Sequence, residues 1–290
     1  MTTILSNGIL TATIAELGAE LLSLKDAQGR ELMTDANPAY WTGHAPILFP
    51  IVGRLHGDRY RLGDTSYVMP QHGFARRRTF AKVAQDEGVS ATFALADDAE
   101  TLSQYPFAFV LHVEHSLEGA TLKTLVSVTN SGEHDLPASI GFHPAFAWPL
   151  PYGGAKETHR MVFSDAESDT IAEITADGTI AATPRPSPLE GQVLHLRDAL
   201  FTDDALVWDP VASKSVSYGT EGGRQLRVDF PGMPRLGIWT KPGAHFVCIE
   251  PWDGIADPEG FDGDIFDKPG IRRVAPGETH AVAMAVTLVD

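Results

Sequence analysis

In the stretch AHFVCIEPWDGIADP, at 244–258, Phe246, Cys248 and Glu250 share one face of an extended strand. A carboxylate in phase with two apolar side chains is costly to bury unless it is paired or put to use. Glu250 is therefore the best general-base candidate in the chain. Asp253 and Asp257 have the setting of turn formers, and Cys248 reads as a small core hydrophobe. A second proton carrier stands in ASIGFHPAFAWPL, where His143 follows Gly141-Phe142 and precedes Pro144 at the end of an extended segment. Imidazole titrates near neutrality and can give or take a proton without extreme tuning. Phe146 and Trp148 close by offer an apolar floor of the kind a sugar ring packs on, with Trp148, Trp239 or Trp252 as the candidates for an apolar wall, and the plainer alternative for His143 is a hydrogen-bonded core histidine.

MPQHGFARRRTF, from Met69 to Phe80, sets one histidine and three consecutive arginines among glycine and aromatics. A turn exposing His72 and Arg76 could form a binding rim, with Gly73 permitting close backbone approach and Phe74 supplying a packing surface. Arg77 and Arg78 are expected to be solvated. In APILFPIVGRLHGDRY, Arg54 follows an apolar run and Val52-Gly53. Its guanidinium is a fixed fork of donors suited to hydroxyls or an anion, unless it is simply a surface arginine in a turn. LFTDDALVWDP adds Asp203, Asp204 and Asp209, any of which could reach a site from a strand end or cap a turn; local sequence does not separate them.

The elements that must carry these groups have a period of two. Phe107, Phe109, Leu111, Val113, His115 and Leu117 alternate along one segment. Leu226, Val228 and Phe230 do so in a second, and Val282, Met284, Val286 and Leu288 in a third. Turn signals punctuate them: DAQG at 26–29, LGDT at 62–65, NSGE at 130–133 and PGE at 276–278. No βαβ rhythm, GxGxxG or GxxxxGK[ST] is present, so a nucleotide-binding doubly wound sheet is not expected. Helical signal is weak, and Asp253 to Asp267 reads as irregular. The linker-like stretch 173–191 reads as a surface excursion within one unit. The expected architecture is all-β, a large antiparallel sandwich with long loops and a site on the inner face of a sheet.

With 290 residues the chain can bury a large core, and a formal charge of −16 argues against nucleic-acid or anionic-membrane binding. Its single cysteine, Cys248, rules out an internal disulfide and a cysteine-rich metal site. His112 and Glu114 alternate with Val113 and His115 across a strand, which disfavours a metal clamp there, and no HExxH or GxSxG occurs. No secretory signal pattern or long apolar run is seen, so a cytoplasmic location is the default expectation.

PILFPIVGRL, MPQHGFAR, GFHPAFAWPL and FVCIEPWDGIAD, followed by FDGDIFDKPGI, together resemble the aldose 1-epimerase (galactose mutarotase-like) family, closest to its bacterial hexose-mutarotase-like branch. The similarity runs from about Asn7 to Leu288. It implies residues 1–290 as one β-supersandwich domain and cofactor-free interconversion of sugar anomers, with no metal required. It further implies His143 as general acid and Glu250 as general base, with Arg54, His72 and an aspartate, taken as Asp204, binding sugar oxygens. Two features depart from the galactose mutarotases proper: GFHP replaces their asparagine-histidine pair, and EPWDG follows the glutamate in place of their glutamine-containing sequence. Galactose as substrate is thus not implied. Arg54 and Arg76 instead make a phosphorylated hexose credible, because hexose 6-phosphate relatives use arginines to neutralise phosphate. The expected partner is a small sugar or sugar phosphate, bound by a monomer or homodimer. A noncatalytic sugar-binding protein is the rival reading. It would keep the cleft but would not need Glu250 and His143 on opposite sides of an anomeric carbon.

Overall fold

The computed structural model describes residues 1–290. Two antiparallel sheets dominate. The larger has nine strands in the order Val193–His195, Arg160–Phe163, Ser215–Gly219, Gln225–Asp229, Thr279–Val289, Thr121–Asn130, Phe109–Glu118, Ser90–Ala96 and Ala81–Asp86. The second runs Leu206–Trp208, Arg235–Trp239, Phe246–Asp253, Ile140–Phe142 and Ile47–Leu48, with Ala145–Ala147 also paired to the Phe246–Asp253 strand. A core joins Leu111, Val113 and Val126 of the first sheet to Ile47, Phe142, Val247 and Ile249 of the second. This is the antiparallel β-sandwich architecture expected from the alternation.

That alternation is explicit in the burial. From Phe109 to Leu117 the odd residues are buried and the even ones partly exposed, because successive side chains leave opposite faces of a strand. His115 obeys the pattern: it is a core histidine, bonded to Thr124 Oγ1 at 3.0 Å and the Ala19 carbonyl at 2.9 Å. One short α-helix, Ala99–Gln104, was not anticipated from the weak helical signal. It is held by a capping box between Asp98 and Thr101. No helix is long and apolar enough to cross a membrane.

Two expectations about charged residues are corrected here. Arg78 is not solvated, since it pairs with Asp98 and Glu100 and its side chain is only 17% exposed. Asp253 is not a turn former either. It ends the buried Phe246–Asp253 strand and binds Arg272 Nη2 at 2.7 Å and His280 Nε2 at 2.6 Å. Burial alone would raise the Asp253 carboxyl, but the hydrogen bonds from His280 and Arg272 outweigh it and hold the group below its ordinary value. Its stabilising contribution is therefore complete above about pH 3.9 and is lost as pH falls from there through the lower folded-state value. Asp253→Asn is expected to lose about 1.5–3 kcal/mol at pH 7, the range for hydrogen bonds to a charged group. Urea unfolding of both proteins across pH 2–7 checks this: the difference should shrink in acid.

Candidate functional site

A cavity of about 290 Å³ opens on the six-stranded sheet, near the lower end of the range of about 300–1,000 Å³ usual for small-ligand sites. It suits one small molecule better than a polymer. Glu250 and Trp252 both line it because they lie two apart on the same face of the Phe246–Asp253 strand. His143 reaches them through a break in strand pairing. Ile140–Phe142 pairs with the Trp252–Asp253 end and Ala145–Ala147 with the Phe246–Cys248 end, so His143-Pro144 crosses the gap opposite Glu250. The Ile249 N–H donates to the Pro144 carbonyl at 3.2 Å and closes that gap. His143 Nε2 then stands 3.3 Å from Glu250 Oε2. Trp41 stacks on the imidazole with ring centroids 4.8 Å apart, and Trp239 meets it edge-on at 5.8 Å.

Both members of the pair are buried. Burial pushes the His143 imidazole down to about 3, assisted by the Arg76 charge. Burial likewise raises the Glu250 carboxyl well above its ordinary value, as does nearby Asp204. The Trp252 indole acts weakly the other way, lying near enough to favour the carboxylate while its Nε1 is aligned with no acceptor. A neutral imidazole beside a protonated carboxyl carries as many protons as an imidazolium beside a carboxylate. The two forms differ by one transfer across 3.3 Å, and burial favours the uncharged one. The charge-separated resting pair that the acid–base reading calls for is thus not the form burial prefers.

His72 is held as a fixed donor. It has a left-handed backbone (φ 65°), and its N–H bonds the Gly53 carbonyl at 2.8 Å. Its Nδ1 accepts the Gly53 N–H at 3.1 Å, which places the ring proton on Nε2. Burial, then His143 and Arg76, keep it well below its usual pKa, hence neutral. Its ring lies edge-on to His143 at 5.6 Å.

Of the remaining candidates, Arg76 and Asp204 line the cavity. Arg76 Nη2 donates to the Gln71 carbonyl at 2.8 Å while its buried Nε has no partner, and no carboxylate pairs with it. Asp204, at φ 73°, accepts the Ala205 N–H at 2.7 Å. Arg54 is not among the lining residues: its side chain is engaged bidentately by Asp58 at 2.8 Å and 2.8 Å. The Gly53 backbone beside it forms the wall instead. Asp209 pairs with Arg235 at 3.0 Å, outside the cavity.

Of the aromatic candidates, Trp239 and Trp252 reach the cavity and the pair Phe146 and Trp148 does not. Phe146 and Trp148 are buried in the main core, whereas Trp41, Trp239 and Trp252 face the cavity. Trp252 lies over Gly237, where an added Cβ would sit 2.6 Å from its ring. Trp41 was missed by sequence reasoning. The available signal was an aromatic two residues before Gly43, whose missing side chain leaves room for the folded-back indole. The stretch 173–191 is more than a surface excursion, because Ile174, Gly178 and Ile180 complete the cavity wall. Asp257, read as a turn former, is instead a clamp. Its Oδ2 accepts the His56 N–H at 2.8 Å and its Oδ1 lies 3.1 Å from buried Lys268 Nζ, which fixes the turn whose Ile255 and Ala256 line the cavity.

This sandwich, with a buried histidine–glutamate pair under an aromatic wall, has clear relatives. The family model for aldose 1-epimerase matches residues 1–279. Protein LacX (chromosomal) of Lactococcus lactis subsp. lactis is 36% identical over 300 residues, covering 100% of both chains. The crystal structure of a galactose mutarotase related enzyme from Lactobacillus acidophilus aligns over 100% of this chain and 98% of its own, at 33% identity and a TM-score of 0.92. A galactose mutarotase-like protein from Lactobacillus casei ATCC 334 aligns over 100% of both chains at 30% identity and a TM-score of 0.93. The chain belongs to the aldose 1-epimerase family, which places it among the mutarotase-like isomerases acting on sugars.

Proposed function

We propose that the protein interconverts the α and β anomers of an aldose by opening and reclosing the sugar ring. The observation that carries this is the 3.3 Å contact of His143 and Glu250 on the cavity wall. In the charge-separated form, Glu250 takes the proton of the anomeric hydroxyl as His143 gives one to the ring oxygen. The C–O bond opens to an aldehyde, the C1–C2 bond rotates, and closure on the other face runs both transfers backwards. Neither group is consumed. Sugar hydroxyls and the Nε2–H of His72 replace solvent around the pair and offset the burial penalty on its charged form. Asp204 accepts from sugar hydroxyls and Trp41, Trp239 and Trp252 pack on the ring. A noncatalytic binding protein would have no use for a buried acid–base pair in hydrogen-bond range. Saturation-transfer NMR on free glucose and galactose at equilibrium tests the reading. Exchange faster than in buffer is expected, and binding without exchange would overturn it.

Arg76 favours a refinement in which the substrate is a hexose 6-phosphate. A guanidinium that lines a cavity, with its Nε buried and no carboxylate partner, is a site for an anion. Glucose 6-phosphate should then exchange faster than glucose. Arg76→Gln should raise its KM by about 10-fold or more, the equivalent of one charged hydrogen bond, with glucose little affected. Equal loss on both sugars would assign Arg76 to general positioning.

A further inference from the structure

We propose that His143, Cys248 and Glu250 form a zinc-binding site whose occupation silences the proton-carrying pair. One ligand atom from each lies within 4.8 Å of the others, and all three residues are buried. Imidazole, thiolate and carboxylate are the ligand types that zinc takes. Two ligand atoms about 2.1 Å from a tetrahedral zinc stand about 3.4 Å apart. His143 Nε2 and Glu250 Oε2 already stand 3.3 Å apart, so closing the set requires a contraction of at most about 1.4 Å on its widest edge.

The spacing is built into the strand. Cys248 and Glu250 are two residues apart on the face turned toward His143, and Ile249 fixes the His143-Pro144 segment opposite them. His143 Nδ1 makes no hydrogen bond that would pin the ring against turning toward a metal. The charge count also favours a divalent ion: one thiolate and one carboxylate cancel it beside a neutral imidazole, so the loaded site leaves no net charge among three buried side chains. On binding, the Cys248 thiol proton and the proton shared by His143 and Glu250 leave to solvent. The fourth position opens into the cavity, because His143 and Glu250 line it. With both proton carriers coordinated, ring opening stops. Zinc on this site is an inhibitor, and turnover without it survives exhaustive chelation.

The test titrates the full-length protein with Co²⁺, a coloured stand-in for zinc, and then with Zn²⁺. A thiolate-to-cobalt charge-transfer band with the visible bands of a tetrahedral site is expected at one metal per chain, displaced by Zn²⁺. Cys248→Ala should lose the thiolate band, keep metal-free anomer exchange and resist zinc, whereas zinc abolishes exchange in the wild type until chelator is added. Glu250→Gln, checked for folding by thermal melting, should also lose tight cobalt binding. Absence of a thiolate band, or a band that survives Cys248→Ala, would overturn the site. The inhibition arm rests on the mutarotase reading; the cobalt spectrum does not. A protein that shows the band but exchanges no sugar would therefore fault the proposed function and not the metal site.

Discussion

Glu250→Gln should lower anomer exchange by about 10²- to 10⁴-fold, the usual worth of a positioned proton transfer, and leave the fold intact. Glutamine matches the glutamate in shape, and burial already raises the native carboxyl well above its ordinary value, so the exchange removes little electrostatic stability. It does remove the titratable proton. The amide cannot accept a proton from the anomeric hydroxyl and return it, so the loss should appear in kcat more than in KM. At the expected magnitude the barrier rises by about 2.7–5.5 kcal/mol. Saturation-transfer NMR on the wild type and the variant measures it directly. Unaltered exchange would mean that some other group carries the proton, and the assignment of Glu250 as base would be wrong.

Gly73→Ala should be the most damaging single-methyl change in the chain. Gly73 has φ +70°, and a Cβ there would lie 2.2 Å from the Phe49 carbonyl oxygen and 2.5 Å from its carbon. Those are backbone atoms, tied in place because Phe74 N–H and Ala75 N–H both donate to that same carbonyl. Nothing flexible can move aside. A left-handed backbone costs an alanine about 1–2 kcal/mol and overpacking about 1–3 more, for a total of about 2–5 kcal/mol. Because Gly73 follows His72, relief of the clash must also shift the histidine from Gly53. Urea unfolding and exchange kinetics together check this: stability should fall by that amount, and the surviving folded protein should turn over poorly. A stable, fully active Gly73→Ala would show that this turn is more pliant than its contacts imply.

Much of the architecture was legible because strand alternation is a local property. Each of Leu111, Val113, Leu226 and Val228 declares its face by its neighbours two residues away, and all are buried. The same rule marked Glu250 as an acid in an apolar phase. Where the pattern failed, the side chains had long-range partners that spacing does not report. Asp253 looked like a turn residue until Arg272 and His280 arrived from the C-terminal strands, and Asp257 until Lys268 was folded against it. Trp148 looked like a wall residue, but it lies just past the Ala145–Ala147 strand and is buried in the core, and its Nε1 donates to the Lys156 carbonyl at 2.8 Å.

The amino-acid sequence by itself settled the strands, the face on which Glu250 and Cys248 lie, and the motifs shared with the aldose 1-epimerases. Only the tertiary structure decided that His143 meets Glu250, that Arg76 and not Arg54 reaches the cavity, and that Trp41 covers the imidazole. It also lowered the His143 imidazole and raised the Glu250 carboxyl by burial, and placed the ring proton of His72 on Nε2. The reason is physical. Periodicity is written by neighbours along one strand, whereas pKa values, tautomers and ion pairs depend on burial and on groups brought from distant strands by register. Arg54 shows this most simply: a guanidinium in a site-like motif went to the nearest carboxylate, Asp58, and left the cavity to Arg76.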